Sequence, residues 1–136
     1  MPTSPWPYFD LDELSCHHCG KQGINADFMA KVVKLRQFWN LPMTLTSAYR
    51  CPEWDAQVGK SATPGSGPHS MGRAIDVLIG GTDADAFLTF VYKLGLFTGK
   101  GFEQKLGSDQ KERYIHLDDL GPGEFPGHVR PSIWSY

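Results

Sequence analysis

His69 and Asp76 stand seven residues apart in Gly67-Pro68-His69-Ser70-Met71-Gly72-Arg73-Ala74-Ile75-Asp76-Val77, and a second imidazole, His116, follows far downstream in Tyr114-Ile115-His116-Leu117-Asp118. Two imidazoles and one carboxylate suffice for a catalytic zinc ion, which takes three protein ligands and keeps a fourth position for water. Taken together they point to a zinc-dependent peptidase. Each residue also has a plainer role open to it. A lone buried histidine such as His69 is usually a hydrogen-bonded core residue. Asp76 alone fits an ion pair with Arg73 or Arg50, and His116 alone fits a pair with Asp118 on one face of a strand. The sharpest single signal is Asp76 itself, a charge inside the apolar run Ala74-Ile75-Asp76-Val77-Leu78-Ile79. Such a carboxylate is costly unless paired or bound to a cation.

The elements that must position these residues read as an α+β arrangement, with helices packed on a small, mostly antiparallel sheet. Residues 1–24 read as an N-terminal arm. Asn25 is a helix N-cap with Asp27 in the first turn, where the dipole favours negative charge. Phe28, Val32, Leu35 and Trp39 recur at helical spacing, and Pro42 closes that helix. Met43–Tyr49 alternates apolar and polar residues as a strand does. Residues 51–70, rich in proline and glycine, read as one long functional loop ending at His69. A second helix begins at Thr82, buries Ala84, Phe87, Leu88, Val91 and Leu94, and stops at Gly95. Residues 96–104 and 112–118 read as strands joined around Gly107-Ser108-Asp109. The tail, 119–136, is pinned by Trp134.

A chain of 136 residues, 40% of them apolar, has the size and core of a single domain, taken as 1–136. A net charge of −2 without clustered Lys or Arg excludes a nucleic-acid surface. No apolar run approaches the ~20 residues of a membrane-spanning helix, and no signal-peptide pattern opens the chain. Synthesis in the cytoplasm as a monomer is therefore expected. Three cysteines are too few for a disulfide framework. Cys16, Cys19, Cys51 and one of His17 or His18 add up to a second zinc set, but a lone CxxC is a weak pattern, and an ordinary set of free thiols is preferred.

Three blocks, Ser47-Ala48-Tyr49-Arg50, His69-x-x-Gly72-x-Ala74-x-Asp76 and the later His116, resemble the M15 zinc peptidases. These are the D-alanyl-D-alanine carboxypeptidases and phage endolysins that share a fold with the hedgehog signalling domain. The resemblance runs from about Phe9 to Asp118. It implies the hedgehog/DD-peptidase fold, Zn2+ held by His69, Asp76 and His116, and Arg50 contacting substrate and oxyanion, with Ser47 and Tyr49 also binding substrate. It implies hydrolysis of peptide bonds in peptidoglycan stem peptides, as a carboxypeptidase or endopeptidase. A small chain of this kind looks like a phage endolysin or virion-associated lysin, reaching the cell wall after release or on the virion.

Two positions depart from the family pattern. Gly67 replaces a serine two residues before the first ligand. Arg113 and Tyr114 stand where family members carry the general base, an acid or a histidine. Asp118 is the first replacement, either as proton acceptor or as the partner that orients His116. Glu112 is second and Glu103 third. The missing acid leaves open another class of function, a hedgehog-like binding module that keeps zinc without chemistry. A zinc-ribbon-like interaction domain centred on Cys16 and Cys19 is the weakest alternative.

Overall fold

The computed structural model describes residues 4–58, 67–105 and 113–136. Among these residues there are four helices and five strands, in the order helix, helix, strand, helix, strand, helix, strand, strand, strand. The first helix, α1 (Leu11–Leu14), is a single turn held by a capping box, in which Asp10 and Glu13 each accept the other's backbone N–H. Helix α2 (Ala26–Trp39) starts at Asn25, whose side chain accepts from Phe28 N at 2.9 Å. Its buried residues are Phe28, Met29, Val32, Leu35 and Trp39, the stripe expected from the periodicity. Strand β1 (Leu45–Ser47) follows, shorter than the alternating run.

Residues 52–58, expected to be loop, form helix α3 (Pro52–Val58). The correction has a local cause. Pro52 occupies a first-turn position where its missing N–H costs nothing, and Glu53 and Asp55 place negative charge in that turn. Strand β2 (Ala74–Leu78) carries Asp76. Helix α4 (Gly81–Leu94) buries Ala84, Phe87 and Val91, and ends at Gly95 in the left-handed region, φ 67°. Strands β3 (Gly99–Glu103) and β4 (Tyr114–Asp118) follow; the expected turn at 107–109 lies outside the described residues. The tail adds β5 (Ser132–Ser135).

The sheet runs β1-β2-β4-β3-β5. The first three pairings are antiparallel, but β5 runs parallel to β3. The sheet is therefore mixed, which corrects the mostly antiparallel one expected: the tail supplies a strand, and it joins the far edge in the other sense. One face is apolar. Ile75 and Val77 of β2, with Ile115 and Leu117 of β4, are at most 1% exposed and share a core with α2 and α4. At about 25 cal/mol per Å2 of apolar surface, burial of this face is the main force holding the strands in register. A slip by one residue would turn the polar face inward.

Candidate metal centre

Directly opposed residues of neighbouring strands point to the same face. Here one row crosses all five strands: Ser47, Asp76, His116, Gly101 and Trp134. The alternation that buries Ile75, Val77, Ile115 and Leu117 thus forces Asp76 and His116 side by side on the opposite face. The neighbouring rows bring Asp118 opposite Ala74 and Gly99, and Tyr114 opposite Leu78 and Glu103. Gly101 is required in this row, because a Cβ there would collide with the Trp134 indole.

His69 arrives from the turn before β2. Gly72 N donates to His69 O at 3.2 Å, and Gly72 itself holds φ 72°. A Cβ at Gly72 would collide with the Gly23 carbonyl. The glycine of the His-x-x-Gly block therefore serves two needs, a left-handed turn and close backbone approach to the arm.

The ligand atoms of His69, Asp76 and His116 lie within 4.8 Å of one another, and all three residues are buried. Asp76 Oδ1 is 3.2 Å from His69 Nε2 and 3.1 Å from His116 Nδ1. The distal nitrogens are fixed from behind. His69 Nδ1 lies 2.7 Å from the Ala48 carbonyl and donates to it, which leaves Nε2 as a lone pair. His116 Nε2 lies 2.7 Å from Asp118 Oδ2. His69 Nε2, although near Asp76, has no hydrogen-bond partner and is buried, so its contact with the carboxylate is one of distance without hydrogen-bond geometry. A buried, unpartnered lone pair aimed at a carboxylate and a second imidazole is what a divalent cation would satisfy.

The electrostatics agree. Burial alone would raise the Asp76 pKa, but the close approach of the His69 ring and the hydrogen bond from His116 hold it well below the ordinary carboxylate range. Burial disfavours a charged His116, yet its bonds to Asp118 and Asp76 overcome this and push it up to about 9. The two carboxylates demand positive charge at this point, which a proton on His116 would supply. A bound dication would take over that role.

Asp118 is fully buried. Its Oδ1 accepts from Arg130 Nε at 2.9 Å, and its Oδ2 accepts from Arg130 at 2.8 Å as well as facing His116. Burial raises the Asp118 pKa, but His116 and Arg130 outweigh it and bring it to about 2. Glu112 lies outside the described residues. Glu103 lines the cleft above the row, and its Oε1 is buried without a hydrogen-bond partner. Arg50 also lines that cleft, with Nε 3.4 Å from Asp55 Oδ1, an ion contact that falls short of a hydrogen bond. Ser47 stands opposite Asp76 in the row. Tyr49 turns away, packing over Gly23 on the arm side. Arg73 pairs with Asp119 and Glu124, so it is not the partner of Asp76.

The cleft encloses about 780 Å3. Arg50 and Lys105 give it cationic walls, and Tyr114, Trp134 and Tyr136 give it aromatic ones. Arg130 and β5 escaped the sequence reading. Trp134 does more than pin the tail: its ring sits 5.3 Å from that of His116 and stacks under Arg130 at 4.7 Å. Among the described residues no helix is long and apolar enough to cross a membrane. A family model described as Peptidase M15 matches residues 7–118. No curated protein and no solved structure matches the chain.

Proposed function

This chain belongs to the peptidase M15 family, and on that premise we propose a zinc-dependent peptidase that hydrolyses peptide bonds in the stem peptides of bacterial peptidoglycan, on the hedgehog/DD-peptidase fold. The observation that carries the reading is the unpartnered Nε2 of His69, held within reach of Asp76 and His116. In this reading His69 Nε2, Asp76 and His116 Nδ1 hold the zinc. Bound there, zinc supplies a Lewis acid for the scissile carbonyl and lowers the pKa of water.

The chain's own residues do the rest. Ala48 and Asp118 fix the two imidazoles in the tautomers that face the cation. Arg130 keeps Asp118 ionised, so Asp118 orients His116 and is not the group that takes up a proton. That work falls to Glu103, the cleft carboxylate with a free buried oxygen. Arg50 offers its guanidinium to the negative charge developing on the carbonyl oxygen or to a peptide carboxylate. Stem peptides are rich in carboxylates, which suits walls carrying Arg50 and Lys105.

Digestion of purified peptidoglycan tests the reading. Zinc-loaded protein should release new amino groups, and Glu103→Gln should keep its metal while losing most turnover. Zinc-loaded protein that binds the wall and releases no amino groups would replace this reading with the non-catalytic module. Full turnover in Glu103→Gln would return the proton acceptor to another residue.

A further inference from the structure

A second cluster lies outside the cleft and has no part in the proposed reaction. The sulfurs of Cys16, Cys19 and Cys51 lie within 4.8 Å of one another, and all three cysteines are free. Cys16 and Cys51 are 2% and 3% exposed, whereas Cys19 faces solvent. The segment from Cys16 to Lys21 closes as a tight knuckle. Gly20 N donates to Cys16 O at 2.7 Å, Cys16 N donates to Lys21 O at 2.8 Å, and Gly20 takes φ 75°. The backbone N–H groups of His18, Cys19 and Cys51 all point at the Cys16 sulfur, and that of Trp54 points at Cys51.

We propose that Cys16, Cys19 and Cys51 form a second metal site, a three-thiolate site for zinc that locks the N-terminal arm to the strand end bearing Ala48 and Arg50. Three thiolates this close repel one another, and a soft divalent cation removes that repulsion. Binding forms three sulfur–metal bonds, breaks three S–H bonds and releases the protons to solvent. The metal keeps its valence, so no oxidant is involved. Cys19 faces solvent, and beside it the His18 ring stacks on Trp54, with centroids 4.8 Å apart and planes within 3°. The location gives the site its purpose. Tyr49 N donates to Leu14 O at 3.4 Å, and Arg50 N donates to His69 O at 3.2 Å, so the clamp borders the turn that delivers His69.

The test is independent of the peptidase reading and uses the full chain, reduced, stripped of metal and titrated with Co2+. One equivalent should raise a near-ultraviolet thiolate-to-cobalt charge-transfer band. The band should persist in the variant carrying both His69→Ala and His116→Ala, and should vanish when Cys16→Ser and Cys51→Ser are combined. Because those buried changes risk misfolding, Cys19→Ser, at the exposed position, serves as the control: it should weaken the band and leave the circular dichroism of the metal-free chain unchanged. A reduced wild-type chain that binds Co2+ without the band, or a band that ignores Cys19→Ser, overturns the proposal. So does a disulfide among these cysteines in anaerobically purified protein.

Discussion

The two triads have the same ligand count and the same compactness, and they differ in what stands behind the ligands. Asp76 and His116 are anchored on adjacent central strands, and His69 is fixed by the Ala48 carbonyl. Each imidazole has a dedicated partner on its far nitrogen, and the near side opens on a cleft. Cys16 and Cys19 sit on a turn and Cys51 at the foot of α3, with backbone N–H groups beside the sulfurs of Cys16 and Cys51. A site that must bind and turn over substrate needs rigid, oriented ligands and an open coordination position. One that only ties two segments together needs neither. The surroundings, more than the ligand set, separate the two roles.

The strongest way to break this comparison is to remove a ligand from the rigid site. His69→Ala should reduce peptidoglycan hydrolysis to background and remove one metal equivalent, read by plasma emission, while the cysteine-bound equivalent stays. Loss of both equivalents would mean that the sites are not separate. Next comes Arg50→Ala, which should keep both metals and cost about 10²–10³-fold in kcat, the usual loss for one donor to a developing oxyanion. Loss of metal in that variant would assign Arg50 to the architecture. Asp118→Asn sharpens the role of the partners. It should weaken zinc at the histidine site by roughly 10- to 100-fold, measured by competition with a chelator, without touching the cysteine site. The smallest effect is expected at Gly72→Ala, which should lower unfolding free energy by about 1 kcal/mol or more through its left-handed backbone and its approach to Gly23. Denaturant melts would show it.

Much of the scaffold was legible because it rests on local periodicity. Helix α2 declares itself through Asn25 and the Phe28–Trp39 stripe, α4 through its apolar face and Gly95, and β2 through its apolar run. What local pattern could not show was pairing. The parallel union of β5 with β3 joins Ser132 to Gly99 across the chain, and Ile133 of that strand is 60% exposed, so no alternation announces it. Arg130 stayed hidden for the same reason, since only the tertiary fold brings it to Asp118. Helix α3 was overlooked because proline and glycine dominate its surroundings, although Pro52 followed by Glu53 and Asp55 is a helix-start signal. The Asp10–Glu13 capping box was equally visible, but it supports a single turn. Cys16, Cys19 and Cys51 were legible as a candidate set, and their convergence depends on the fold that returns Cys51 to the arm.

The central claim is that His69, Asp76 and His116 enclose one divalent cation, with His116 using Nδ1. Crystals of the zinc-loaded chain measured across the zinc absorption edge test it directly. The account predicts an anomalous peak about 2.0–2.2 Å from His69 Nε2, Asp76 oxygen and His116 Nδ1, with Asp118 still on Nε2. A zinc peak bound through His116 Nε2, or zinc found in the crystal with none at these three residues, would contradict it.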